Sequence, residues 1–251
     1  MTDRAALREL GASTRSQLGH ESGASDALLP GYGALSDEVM FGRVWAREGL
    51  AHEERMLATL CALTCKQYLP QLEHYAGLAL DMGMAPRKLQ EVMLHCAMYA
   101  GLPSAENSLA ALQNVFSARG LATPTDEWPA LELDALMTRG QETMRDLHRE
   151  RADGGYAAPD SAASALYLTA IDYLYGEIWN RPGISRRERM VCSVAAFTAL
   201  QMSSQQRKFF RSALNVGLSA REVLEIIIQT GPYSGFPPAL NALVIAEEVL
   251  A

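Results

Sequence analysis

Gly176-Glu177-Ile178-Trp179-Asn180-Arg181-Pro182-Gly183-Ile184, with Arg186-Arg187-Glu188-Arg189-Met190 behind it, has a counterpart 134 residues earlier. That counterpart is Gly42-Arg43-Val44-Trp45-Ala46-Arg47-Glu48-Gly49-Leu50, with His52-Glu53-Glu54-Arg55-Met56 behind it. The same register aligns Phe41–Leu109 with Tyr175–Leu243 without a gap, with agreement at roughly twenty positions. Glu91, Tyr99, Gly101, Pro103 and Asn107 fall on Glu225, Tyr233, Gly235, Pro237 and Asn241. Solenoid units usually run about 20–50 residues, so a longer unit present twice is a duplicated domain. Ahead of each block, Gly11, Thr14 and Leu18 match Gly140, Thr143 and Leu147 at a shift of 129. Each half thus begins with a helical arm, passes a loop (20–33 and 152–162) and enters its block. Residues 1–125 and 130–251 form the two expected domains, with Pro124 and Pro129 as breakers in a linker over 120–129.

The blocks read as helices throughout. Ser185 followed by Glu188 has the spacing of a capping box, and Ser219 suits an N-cap. An apolar run from Met190 to Leu200 follows, matched by Glu53 to Thr64. The spacing predicts a second helix over 71–82 ending at Gly83, with its twin ending at Gly217. A third is predicted over 87–99 and from Arg221 to Thr230 or beyond, and a last one from near Ser104 and Pro238. No run of strict alternation is long enough for a strand. The fold class expected is all-α.

Composition narrows the function. A formal net charge of −7 supplies no basic excess for phosphates, so no nucleic-acid partner is expected. No apolar run of about 18 residues and no leader pattern is seen, which points to a cytoplasmic protein without a membrane partner. Four cysteines in 251 residues make no disulfide framework. A half of this size alone buries only about 60–70% of its unfolded surface, so a core shared between the halves is expected, together with oligomerisation.

The second copy also carries Ala213-Leu214-Asn215-Val216-Gly217-Leu218-Ser219, Glu222-Val223-Leu224-Glu225 and Gln229-Thr230-Gly231-Pro232-Tyr233-Ser234-Gly235-Phe236-Pro237. With the Trp179 segment, these motifs resemble the carboxymuconolactone decarboxylase family over essentially the whole half. The first copy resembles it more loosely through Trp45 to Leu50, His74, Glu91 and Tyr99 to Pro103. The resemblance implies two tandem copies of an alkylhydroperoxidase D-like helical domain packed as a pseudo-dimer. It implies no organic cofactor and no metal, and a homo-oligomer in which a trimer stands in for six single-copy chains. The implied reaction is acid–base chemistry on a small acidic or lactone-type ring compound: decarboxylation, lactone opening or isomerisation. A non-catalytic ligand-binding or assembly protein on the same scaffold is the alternative.

The family places a histidine ahead of an Ala-Leu-x-x-Gly stretch. His74 holds that position in copy one, whereas copy two has Lys208. An imidazole suits proton transfer near neutral pH, so His74 is the leading catalytic candidate. Glu91, His95 and Tyr99 at i, i+4 and i+8 share one helix face and join it. The alternative for Glu91 is a local ion pair, and for Tyr99 packing beneath the Gly-x-Pro turn. Arg47, Arg55, Arg181 and Arg189 could clamp a carboxylate bidentately, or form salt bridges between repeats with Glu54, Glu188 or Glu91. Trp45, Trp179 and Tyr233 complete the candidate substrate-binding set, with packing as the alternative for the tryptophans. Methionines 40, 82, 84, 93 and 98 suggest an adaptable apolar pocket or plain core filling. The Cys-x-x-Cys-x-x-x-His motif of the neighbouring alkylhydroperoxidase D-like branch, counted back from His74, would put thiol peroxidase cysteines at positions 67 and 70, where Gln67 and Pro70 stand. Cys61 and Cys65 lie on an apolar face as packing thiols.

Overall fold

The computed structural model describes residues 3–20, 29–125, 128–153 and 163–251. Among the described residues, twelve α-helices and shorter π- and 3-10 turns account for the regular structure, and no strand occurs. The first repeat comprises α1 (Arg4–Gln17), α2 (Tyr32–Ser36), a π-helical stretch (Asp37–Trp45), α3 (His52–Lys66), α4 (Leu69–Asp81), α5 (Pro86–Ala100) and α6 (Leu102–Ala118). The second comprises α7 (Leu133–His148), α8 (Ser164–Thr169), a π-helical stretch (Ala170–Glu177), α9 (Arg186–Ala199), α10 (Ser203–Ala213), α11 (Ala220–Ser234) and α12 (Phe236–Leu250). The chain is thus two tandem copies of one helical unit. Most of the 20–33 and 152–162 loops lies outside the described residues, as does part of the linker.

Local chemistry explains the boundaries. Ser185 and Ser219 each accept from the backbone N–H three residues on, while Glu188 and Glu222 reach back to the cap N–H, so both capping boxes form. α3 and α9 end beside Gln67 and Gln201, both at φ 57°. A side chain is strained in that region. Gln67 is held there by its amide, which donates to the Thr64 carbonyl at 2.8 Å and the Ser104 carbonyl at 3.0 Å. The π-helical stretches were not legible in the helical periodicity. Arm and stretch approach through glycines: Gly11 lies against the Asp37 carbonyl and the Gly42 nitrogen, Gly140 against the Ile171 carbonyl, and Gly176 against the Leu136 carbonyl. A Cβ on Gly11 would stand 1.8 Å from the Asp37 carbonyl oxygen, and one on Gly140 2.1 Å from that of Ile171. Those two matched glycines let backbone lie on backbone.

The repeats interlock. α3 packs on α9 at the centre, α5 crosses to α9, and α11 crosses to α3 and to the first π-helical stretch. One continuous core results, with Trp45, Met56, Leu57 and Leu60 beside Trp179, Met190, Val191 and Phe197, all essentially inaccessible. Each half therefore completes the other's interior, as the area argument requires. Cys61, Cys65, Cys96 and Cys192 are free and buried in this core. No described helix is long and apolar enough to cross a membrane.

Candidate functional site

Because α5 and α11 cross over, the molecule has two equivalent seams, each built from both repeats. At seam one, Glu91, His95 and Tyr99 of α5 face Arg189, Ser193 and Phe197 of α9. At seam two, Glu225, Gln229 and Tyr233 of α11 face Arg55 and Thr59 of α3.

The charged floor is alike in both. At seam two, the Arg47 Nε and Nη2 groups donate to both oxygens of Glu225, at 2.6 to 3.1 Å, and the fully buried Arg55 donates to Oε2 at 3.0 Å. At seam one, Arg181 donates to Glu91 at 3.1 Å, Arg189 at 3.2 Å and Arg87 at 3.0 Å. Burial drives the pKa of Arg55 and of Arg189 below its usual value, and the facing carboxylates oppose that shift. The four arginines of the sequence reading are thus engaged by Glu225 and Glu91. The sequence reading placed inter-repeat partners at Glu54, Glu188 or Glu91. Glu54 instead holds Arg187 at 2.8 Å, and Glu188 holds Lys88 at 2.6 Å.

Above the floor the seams differ. At seam two, Trp45 Nε1 donates to the Tyr233 hydroxyl at 2.7 Å, which donates to the Tyr75 hydroxyl at 2.9 Å. Tyr75 in turn donates to Met40 sulfur at 3.3 Å. Gln229 donates to Thr59 Oγ1 at 3.1 Å. At seam one, the matching positions hold Trp179, Tyr99, Phe209, His95 and Ser193. Phe209 has no hydroxyl to offer Tyr99. Instead the Tyr99 hydroxyl lies 3.0 Å from Ser193 Oγ and 3.3 Å from His95 Nε2, and Nε2 lies 2.9 Å from Ser193 Oγ. Ser193 spends its own proton on the Arg189 carbonyl at 3.0 Å, so its oxygen accepts from the other two. Burial, reinforced by the Arg189 charge, holds the His95 pKa well below the usual imidazole value. Burial likewise pushes the Tyr99 phenol well above its own. Both groups are neutral at neutral pH.

A cavity of about 600 Å³ opens at seam one. Tyr99 and Met98 reach it from the first repeat. Leu174, Tyr175, Phe197, Lys208 and Phe209 line it from the second. Behind Tyr175 lies fully buried His148, whose Nε2 is 2.9 Å from the Tyr175 hydroxyl and whose Nδ1 is 2.8 Å from Ser212 Oγ. Two phenol–imidazole pairs, one from each repeat, therefore flank one cavity. Lys208 is partly exposed within it.

His74 occupies the place that Lys208 holds in the other repeat. Its ring is exposed and lies edge-on to His20, with centroids 4.4 Å apart, and to Tyr75 at 5.6 Å. The structure joins His95, Tyr99 and Glu91 in one seam, and places His74 and Tyr233 in the other. Of the candidate methionines, Met98 lines the cavity, while Met84 and Met93 are buried in the core. Sequence reasoning did not single out Tyr175, Phe209, His148 or a positive role for Lys208. The mismatch of His74 with Lys208 and of Tyr75 with Phe209 was the available signal for two of these. The shift of 129 sets His148 on Gly19, one place short of His20, whose ring meets Phe41 and Tyr75 as that of His148 meets Tyr175 and Phe209. Among the described residues, no group of three or more His, Cys, Asp or Glu side chains is placed to hold a metal.

Residues 30–114 and, separately, 164–248 match the sequence profile of the Carboxymuconolactone decarboxylase family. A 4-carboxymuconolactone decarboxylase of Acinetobacter baylyi is 34% identical over 77 residues, which is 31% of this chain and 58% of that protein. An uncharacterized 15.0 kDa protein of Paracoccus denitrificans is 33% identical over 96 residues, 38% of this chain and 72% of its own. The nitrosuccinic acid decarboxylase npaB of Metarhizium robertsii is 22% identical over 79 residues, 32% of this chain and 55% of its own. The alignment thus spans little more than half the length of either decarboxylase.

Proposed function

Since the chain belongs to the carboxymuconolactone decarboxylase family, we propose that it is a lyase that removes carbon dioxide from an acidic ring compound in the seam-one cavity. The observation that carries this reading is that Tyr99 and Lys208 line one largely apolar cavity, with the Tyr99 hydroxyl tied to Ser193 and His95.

Decarboxylation breaks the bond to the carboxyl carbon and leaves its electron pair on the substrate. The pair delocalises into a neighbouring unsaturated carbonyl group, and a proton is then placed on carbon. The Lys208 ammonium faces the oxygen on which charge develops, where a fixed cation is most effective. The apolar wall of Leu174, Phe197 and Phe209 favours loss of the carboxylate charge as neutral carbon dioxide. Tyr99, kept protonated by burial, gives its proton to carbon. His95 and Ser193 then turn their own protons to the phenolate and stabilise it. Under this reading Glu91, Arg181 and Arg189 hold the floor rather than the substrate, and His74 stands outside the working site.

Arg47, Arg55, Trp45, Trp179 and Tyr233 take packing roles on this proposal. The chain is also proposed to assemble as a homotrimer, supported by exposed Phe236, Leu240 and Val244 at four-residue spacing along α12. Light scattering tests the stoichiometry. Activity is tested by carbon dioxide release from 4-carboxymuconolactone, the ring acid named for the Acinetobacter baylyi relative. Lys208→Met and Tyr99→Phe are each expected to lower release by at least about 100-fold, with His74→Ala near wild type. Release unaffected by the seam-one variants would sink the assignment. Acids that bind but are never decarboxylated would favour a binding protein instead.

A further inference from the structure

We propose that the seam-one cavity is shaped for a planar, multi-ring acid bearing a hydroxyl group, not for a single small ring. The inference takes the location of the site from the functional reading above and extends it to the class of ligand.

Size is the first argument. A cavity of about 600 Å³ falls in the range that encloses drug-sized ligands. At about 30 Å³ of liquid volume per water, it corresponds to roughly twenty waters. A one-ring acid would leave most of those waters against apolar walls. A fused-ring ligand displaces them and gains in proportion to the area buried.

The wall chemistry agrees. Tyr99 meets Phe197 at 4.6 Å and 61°, and Phe197 meets Phe209 at 4.7 Å and 60°. These tilted rings form a continuous aromatic side, and flat ligand rings pack well on such faces and edges. At the equivalent place in seam two, the Tyr75 hydroxyl reaches across to Tyr233. Its replacement by Phe209 removes one hydroxyl from this wall.

The polar groups fix the two ends of the ligand. Lys208 is the one charged side chain among the described residues that line the cavity, so the acid end of the ligand, its carboxylate and the carbonyl oxygen beside it, lies toward Lys208. Ser212 donates to the Lys208 carbonyl at 2.9 Å, so its oxygen accepts from His148 Nδ1–H at 2.8 Å. His148 Nε2 is then an acceptor, and the Tyr175 hydroxyl donates to it at 2.9 Å. Tyr175 lines the cavity, and with its proton turned to His148 its oxygen is left as an acceptor. That acceptor matches a ligand O–H.

Calorimetric titration of the full chain with anthraquinone-2-carboxylate, its hydroxylated analogue alizarin-2-carboxylate, and benzoate tests the proposal. The three-ring acid is expected to bind at least about thirty-fold more tightly than benzoate. The hydroxylated acid should bind tighter still, and Tyr175→Phe should remove that increment alone. Lys208→Met should weaken every acid by at least about tenfold. Ala170→Leu, which fills the cavity, should abolish the preference for three rings. Ser204→Leu at the rim serves the same purpose if the first variant does not fold. Equal binding of one- and three-ring acids, or a preference that survives both filling variants, overturns the inference. Should a small acid be decarboxylated in a Lys208-dependent way while the three-ring acid fails to bind, this inference falls and the functional reading stands. Should the three-ring acid bind as described while no acid is decarboxylated, the reverse holds.

Discussion

The Tyr233 hydroxyl donates to the Tyr75 hydroxyl at 2.9 Å, joining α11 of the second repeat to α4 of the first. Its equivalent across the molecule, Tyr99 facing Phe209, has no such bond, and there the cavity opens. The Tyr75 hydroxyl, which Phe209 lacks, ties the second seam together. Tyr75→Phe should therefore cost about 1 kcal/mol of stability and leave activity unchanged. Tyr99→Phe should cost a similar amount of stability while lowering turnover about 100-fold. Paired denaturation and rate measurements check both, and a large activity loss in Tyr75→Phe would contradict the division of labour between seams.

Glu225 and Glu91 neutralise arginines that have no access to water. Glu225→Gln leaves Arg55 buried without its counter-charge, and Glu91→Gln does the same to Arg189. Each is expected to cost roughly 3–5 kcal/mol, a fall in melting midpoint of roughly 10 °C for a chain of this length. Glu248→Gln is the control, because its pair with Arg207 is about half exposed on both sides. That change should stay within about 0.5 kcal/mol. Calorimetric melting of the three variants decides, and equal effects would remove the distinction.

Acid should destabilise the protein in two stages. The folded-state pKa of His95 is depressed by burial and by Arg189 on the facing helix, with Glu91 and Tyr99 its neighbours on α5. Below about pH 6.5 the unfolded chain takes up a proton that folded His95 refuses, so stability falls as pH falls through that value. Glu188, Glu222 and Glu225 have lowered pKa values despite the opposing effect of burial, because cationic partners and cap N–H groups hold them ionised. Their contribution is present above about pH 4.5 and is lost below it. His95→Gln, which copies Gln229, should flatten the upper stage and leave the lower one. Denaturant midpoints measured from pH 4 to 8 would show an unchanged upper stage if His95 is not its source.

The arms depend on two close backbone approaches. Gly11→Ala and Gly140→Ala would each drive a Cβ into a carbonyl oxygen of the adjoining π-helical stretch. Losses of 3 kcal/mol or about that are expected, at the upper end of overpacking costs. Gly83→Ala is the contrast: its Cβ would meet nothing within 4 Å, so only the strain of φ 87° remains. Circular dichroism melts compare them, and equal losses would show that φ, not contact, sets the cost.

Much of the architecture was written in local pattern. The duplication, the capping box at Ser185, the N-cap at Ser219, the third helices and the Gly-x-Pro closures all follow from short-range spacing, which a single chain displays openly. Helix ends shifted by a few residues, as at α4, which starts at Leu69 ahead of Pro70 rather than at Gln71. The π-helical stretches stayed hidden because they pack on arm backbone distant in sequence, Asp37 against Gly11 and Ile171 against Gly140.

The candidate site was legible in part, and the reason is geometric. The i, i+4, i+8 spacing put Glu91, His95 and Tyr99 on one face, because a helix fixes that relation by itself. Which carboxylate would neutralise which arginine was not fixed by any spacing. It depended on α5 and α11 each crossing to the opposite repeat, so that Arg47 meets Glu225 and Arg181 meets Glu91. Sequence alone determined that two like helical units exist and which residue types each retained. Only the packing of one unit into the other decided that Tyr99 shares a cavity with Lys208 and Tyr175, since residues more than seventy positions apart meet only once the common core excludes water.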